Sequence, residues 1–226
     1  MDSILSAAVF FPEKTAAYQS SFSMNRPSSR LVLTLADGSD KTIKVPVRVG
    51  KILQSDLDAL PSTVPDALNY VESLQQKAAF SYLVEMLSRR DHSIKEVEDK
   101  LSGQGFSSSS IRFAIDKARA SRYLDDLRFA SYFVDERIRR GWGRIKIELE
   151  LRRKGIEPNE IPGYPEEFYD DQFDLDRAIA ILSRRPIPST KPFDKLVRFL
   201  MSKGFSYSLA RDAVKDRLQE ADDCSW

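Results

Sequence analysis

From residue 76 onward the apolar positions recur every three or four residues, the period of a helix that buries one face. Ala79, Leu83, Met86 and Leu87 form a first stripe, Val97 and Leu101 a second, and Ile111, Ala114, Ile115 and Ala118 a third. The breaks between stripes carry stop and start signals. Ser93-Ile94-Lys95-Glu96 reads as a capping box, in which a hydroxyl and a carboxylate each satisfy a backbone donor, and Gly105 suits the left-handed position just past a helix end. Ser107 to Ser110 offer N-caps for the third helix, which runs towards Arg122. One unit is therefore three short helices.

The unit repeats. Leu101 to Phe106, Leu151 to Ile156 and Leu200 to Phe205 share one phrase, a leucine followed four positions later by glycine and then by a large apolar residue. The glycines, Gly105, Gly155 and Gly204, lie 50 and then 49 residues apart, the mark of a supersecondary unit used in tandem. An arginine pair precedes each, at Arg89-Arg90, Arg139-Arg140 and Arg184-Arg185, and the third pair lies further back because of an insertion at Pro186-Ile187-Pro188-Ser189-Thr190. In the second copy Phe129, Tyr132, Phe133 and Ile138, then Ile145, Leu149 and Leu151, are expected to face inward, followed by a shorter third segment after Pro158. The third copy offers Ala178, Ile181 and Leu182, then Leu196, Val197, Phe199 and Leu200, then Leu209, Ala213 and Leu218. A unit of roughly 45 to 50 residues closes a core that is marginal alone, so an elongated, curved array is expected.

The first 75 residues follow a different period. Leu31, Leu33 and Leu35 alternate, Asp37-Gly38 supplies turn chemistry, and Ile43, Val45, Val47 and Val49 alternate again, which predicts a two-stranded antiparallel pair with Pro46 on an edge. A lone hairpin is barely stable, so a further strand from residues 5 to 20, or packing on the next helix, is expected. Residues 19–29 read as a serine-rich loop, and Asp66 to Arg90 as one long helix joining the two parts. The fold class is mainly α, three tandem three-helix modules behind a small β-hairpin module. The boundaries fall at 1–65 for the β-containing extension, 66–124 for the first repeat with its lead-in helix, 125–165 for the second, and 166–226 for the third with an acidic linker and tail.

Composition adds limits. At 226 residues with 42% hydrophobic and 31% charged residues, the chain fits an ordinary soluble protein. One cysteine, Cys224, makes neither a disulfide framework nor a zinc set. The apolar stretch from Ile4 to Phe11 is too short to span a bilayer and lacks a cationic lead, so no membrane association is expected and the location read is cytoplasmic.

Net charge is +1, yet residues 127–163 hold nine cations against six acids. Arg137, Arg139, Arg140, Arg144 and Lys146 follow one another without an intervening acid, around Trp142 flanked by Gly141 and Gly143, and Arg152, Arg153 and Lys154 close the next helix. Two readings compete. The cations at helix ends complement the macrodipole and solvate the surface; alternatively they form a stripe, repeated once per unit, that meets a polyanion or an acidic protein groove. Trp142 reads as packed in the adjacent core, with stacking or anchoring as the alternative.

Catalytic constellations are wanting. His92 is the single histidine and reads as structural or solvated, and no phosphate-binding glycine loop is present. Asp91 with Glu98, Asp99 and Lys100 formally resembles a nuclease triad but falls on a helix with a capping box. The acidic stretch Glu166, Glu167, Asp170, Asp171 and Asp174 reads as dipole complement and solvation before a helix start. No catalysis, metal or cofactor is expected.

Several of these motifs, in register, also carry a resemblance. Arg122-Tyr123-Leu124-Asp125-Asp126 through Ala130, Gly141-Trp142-Gly143-Arg144-Ile145 and Glu150 to Ile156, with Ser93 to Leu101 before them and Arg198 to Ser206 after, resemble the RecX family of recombination regulators. The match covers about residues 76 to 218. It implies tandem three-helix modules that bind the RecA recombinase filament on single-stranded DNA, suppress its ATP hydrolysis and strand exchange, and in some members bind DNA directly. Carried over by position, the contact residues are Arg139, Arg140, Arg144, Lys146, Arg152, Arg153 and Lys154, joined by Arg89, Arg90 and Lys203, and the same basic face takes in Arg137 and Trp142 by their place in the segment. Tyr123, Leu124, Asp125 and Asp126 are expected to be structural, the first two packing between units and one aspartate capping the helix of Phe129. The acidic linker and the insertion depart from the family pattern. The expectation is a monomeric regulator of RecA; a nucleic-acid module competing for DNA, single- or double-stranded, and a helical adaptor for another acidic protein are the alternatives.

Overall fold

In the computed structural model the described residues are 3–13 and 28–223. Cys224 and most of the expected 19–29 loop lie outside them. The chain forms two compact units, Met1–Asp125 and Asp126–Trp226.

The first unit opens with a three-stranded antiparallel sheet, β1 (Ile4–Phe10), β2 (Ser29–Leu35) and β3 (Asp40–Val45), in that spatial order. The extra strand expected beside the hairpin is β1, paired from Ile4 opposite Leu35 to Phe10 opposite Arg30. Asp37 shapes the β2–β3 turn by accepting hydrogen bonds from the Ser39 N–H at 2.9 Å and its hydroxyl at 2.6 Å. Leu31, Leu33 and Val45 point into the core.

The alternation misleads beyond Val45. Val47 and Val49 belong to helix α1 (Val47–Ser55), not to a strand, and Pro46 is its N-cap instead of an edge-strand residue. Proline has no N–H to extend the ladder, whereas its carbonyl accepts the Gly50 N–H at 2.9 Å and starts the helix. Val49 and Leu53, four apart, then bury on one face.

After a 3-10 turn at Leu57–Ala59 comes the long helix, α2 (Val64–Leu87), with Thr63 as N-cap and a proline in its first turn. Helices α3 (Ile94–Gly103) and α4 (Ser108–Ala120) complete the first repeat, with the Ser93/Glu96 capping box formed in both directions and Ser107 capping α4. Ser107, Ser109 and Ser110 all direct hydroxyls at the Glu72 carboxylate, at 3.3, 2.7 and 3.0 Å, which ties α4 to α2. One hydrophobic cluster runs from Leu31 through α1 and α2 to Leu124, so the sheet and the first repeat share a core.

The second unit holds α5 (Asp126–Arg139), α6 (Arg144–Arg153), a 3-10 turn (Pro158–Glu160), α7 (Asp171–Ser183), α8 (Pro192–Lys203) and α9 (Tyr207–Asp223). It has two cores. The first gathers Phe129, Ala130, Phe133 and Val134 of α5 with Ile147 and Leu151 of α6, and Ile161 and Tyr164 stand where a third helix would pack. Tyr132, Ile145 and Leu149, expected inside, are exposed by 64%, 57% and 48%. Ile145 and Leu149 lie two positions out of step with Ile147 and Leu151, roughly 200° around the helix. The other core joins Ala178 and Leu182, Leu196, Val197 and Leu200, and Ala210, Ala213 and Val214. Gly105, Gly155 and Gly204 adopt φ of +84°, +76° and +97°, the left-handed position the repeated phrase requires.

Candidate functional site

The cationic segment of the second repeat is built from the end of α5, the Gly141-Trp142-Gly143 link and α6. Its placement depends on a backbone contact inside the second unit. The Gly143 N–H donates to the Lys203 carbonyl at 2.9 Å and the Ile145 N–H to the Gly204 carbonyl at 3.0 Å, so the free donors opening α6 take up free acceptors closing α8. The opposed helix ends also bring unlike dipole poles together. A Cβ on Gly143 would stand 2.3 Å from the Gly204 carbonyl carbon, and one on Gly204 would stand 2.3 Å from the Lys146 Cβ. Both glycines are needed for the approach.

A second brace is Arg177 of α7. Its guanidinium is only 12% exposed, pairs with Asp174 at 2.5 Å, and donates to the carbonyls of Ile138 at 3.0 Å and Trp142 at 2.6 Å. It therefore adds a donor to the Ile138 carbonyl near the end of α5 and fixes the link that carries Trp142. Asp174, read from sequence as linker solvation, is buried in this pair, while Asp170 accepts from the Gln172 N–H as the N-cap of α7. No motif singled out Arg177; its one signal was an aspartate three residues earlier on a helix.

The expected contact residues differ in how free they are. Arg139 is exposed and has no side-chain partner among the described residues. Lys146 lies over the Trp142 ring with Nζ 4.2 Å from its centroid, and Lys203 over Phe199 at 5.7 Å; neither has a carboxylate partner among the described residues. Arg137 is largely withdrawn, its guanidinium against the Phe133 and Trp142 rings at 4.8 and 4.9 Å. Lys154 sits over Phe129 and Phe133. Arg137 also lies 3.6 Å from Glu136, and the remaining cations are paired with carboxylates too. Arg140 pairs with Glu136 at 2.5 Å, Arg153 with Glu150 at 2.6 Å, and Arg144 and Arg152 share Glu148 at 2.7 and 3.6 Å. Such exposed pairs soften the local field without removing it. In the first unit, Arg89 pairs with Glu85 and Arg90 with Glu96.

Glu148 is a hub the sequence reading passed over. Besides its two arginines it accepts from the Tyr164 hydroxyl at 3.2 Å. Burial pushes the Tyr164 hydroxyl well above its ordinary pKa, and that of Tyr169 up to about 12, so both stay protonated. Beside them a cleft of about 360 Å³ opens, lined by Arg144, Ile145, Pro165, Tyr169, Phe205 and Leu209 among others.

Trp142 is half-buried on the second core, flanked by Arg137 and Lys146. Leu124 is buried in the first core and Asp126 opens α5, whereas the Tyr123 ring, expected to pack, is 53% exposed. His92 is buried with Nδ1 3.5 Å from Glu96. Among the described residues no group of three or more histidine, cysteine or acidic side chains is arranged to hold a metal ion. No helix among them is long and apolar enough to cross a membrane.

Comparison with known proteins follows the same segments. Family models described as the first and second three-helix domains of RecX match residues 79–117 and 125–161. The regulatory protein RecX of Vibrio vulnificus is 32% identical over 135 residues, covering 59% of this chain and 88% of that protein. That of Legionella pneumophila is 30% identical over 140 residues, covering 61% and 93%. A crystal structure of a regulatory protein RecX aligns with 96% of this chain and 100% of its own, at a TM-score of 0.56 and 20% identity, a likeness of fold.

Proposed function

This chain belongs to the RecX family, and on that premise we propose that it is a non-enzymatic regulator of the RecA recombinase, acting in the cytoplasm on homologous recombination and DNA repair. It binds RecA filaments on single-stranded DNA and suppresses ATP hydrolysis and strand exchange. The supporting observation is the α5–α6 surface: Arg139 and Lys146 lack carboxylate partners among the described residues, and the Gly143–Gly204 contact and Arg177 hold the segment that carries them. A fixed cationic surface on a helical scaffold suits an acidic groove, because the charges need little reorganisation on binding.

Charge reversal is the test. Arg139→Glu with Arg140→Glu, both exposed, should leave the helical content intact and weaken inhibition of RecA ATP hydrolysis by about tenfold or more. Equal inhibition by the folded double variant would remove this surface from the mechanism. Arg144 is left out of the pair, since it also braces Glu148 and the aromatic rings of the cleft.

A further inference from the structure

Helix α6 has two apolar faces although one suffices to close its core. Ile147 and Leu151 are fully buried, while Ile145 and Leu149, four residues apart on another side, are exposed by 57% and 48%. A single exposed aliphatic residue is ordinary, but two in helical register beside a cleft form a surface. Ile145 belongs to both, because it also lines the cleft whose apolar lining includes Pro165, Phe205 and Leu209.

The margin of this surface is net cationic, although its arginines share Glu148 and Glu150 and the cleft also holds Glu166. Arg144 precedes Ile145, and Arg152 and Arg153 follow Leu149 by three and four positions, with side chains 49%, 51% and 65% exposed. From Arg144 to Lys154 there are five cations and two glutamates, a net +3. An apolar centre ringed by charge is the anatomy of a protein interface.

We infer that the outer face of α6, Ile145 and Leu149 with the adjoining cleft, docks on a protein surface that offers an apolar recess edged by carboxylates, and not on nucleic acid. Charge complementarity sets the sign of the partner's rim. The aliphatic pair sets its class: sequence-tolerant binding of single strands relies on displayed aromatic rings that stack with bases, whereas the exposed pair is aliphatic and the Phe205 ring beside it is buried, and a phosphate backbone would be desolvated against Ile145 and Leu149 without return. The inference rests on the proposed function, in which the protein so engaged is a RecA protomer and not the DNA it coats.

The test pairs two readouts on Ile145→Ser/Leu149→Ser, with folding checked by far-UV circular dichroism and Ile145→Val/Leu149→Met as the conservative control. One readout is the concentration that half-inhibits RecA ATP hydrolysis on single-stranded DNA; the other is fluorescence anisotropy of a labelled oligonucleotide without RecA. The serine variant should need about tenfold more protein for half inhibition, with oligonucleotide binding within about twofold of the parent and the conservative pair inhibiting normally. Unchanged inhibition by the serine variant overturns the docking face, and parallel loss of oligonucleotide binding assigns that face to DNA. A parent protein that does not inhibit RecA refutes the proposed function itself, and this inference falls with it.

Discussion

Gly143→Ala should separate the second and third helical repeats at their closest approach. The new Cβ would meet the Gly204 carbonyl carbon at 2.3 Å and its oxygen at 2.4 Å, against 3.4–4 Å for ordinary contact, and both atoms are backbone. Relief requires a shift of about 1 Å or more, which stretches the hydrogen bonds of 2.9 and 3.0 Å beyond useful length. Two net hydrogen bonds at roughly 0.5–1.5 kcal/mol each, plus overpacking of about 1–3 kcal/mol, are offset by about 0.5–1 kcal/mol from the less flexible unfolded chain. The expected loss is about 1–5 kcal/mol, centred near 3. Urea unfolding followed by tryptophan fluorescence reads it directly, because Trp142 adjoins Gly143 and packs on the second unit's first core. Gly105→Ala is the contrast: its Cβ meets nothing within 4 Å, so it bears only the strain of φ +84°, roughly 1–2 kcal/mol. A Gly143→Ala protein within about 0.5 kcal/mol of the parent would refute the reasoning.

Arg177→Met removes the cation of the buried pair with Asp174 and the guanidinium donor to the Ile138 and Trp142 carbonyls, and should cost about 3–5 kcal/mol. Arg177→Met/Asp174→Leu should recover part of that loss in the same urea experiment; no recovery would mean the ion pair is not the source. For His92, burial first and Arg90 second hold the imidazole pKa below the ordinary histidine value, with Glu96 opposing. Between the two values the unfolded chain binds the extra proton, so His92 favours folding above about pH 6.5 and that contribution is lost as pH falls through the folded value. Thermal melts at pH 7.5 and 5.5 should show a larger drop for the parent than for His92→Gln; equal drops would contradict the assignment.

The repeat was readable because its signals are local. A glycine in the left-handed region, a capping box and a 3.6-residue period each act within a few residues, and Ser93, Gly105, Gly155 and Gly204 behave as their neighbours dictate. Errors arose where two periods fitted the same residues. Val47 and Val49 continue an alternation that Pro46 terminates, and Ile145 and Leu149 satisfy an i,i+4 rule as well as Ile147 and Leu151 do, so burial was decided by tertiary packing. The candidate site was visible as charge but not as geometry. Which arginines are compensated depends on Glu136, Glu148 and Glu150, whereas Arg177 and the Gly143–Gly204 contact involve partners tens of residues away.

The central claim, that this protein acts on the filament and not on free DNA, is tested most directly by titrating it into RecA on saturating single-stranded DNA at well below one copy per RecA subunit, and following ATP hydrolysis. Hydrolysis should fall at these ratios, with a modest dependence on salt. Hydrolysis that stays constant until the protein is sufficient to cover the DNA, and that recovers steeply with added salt, would contradict that claim.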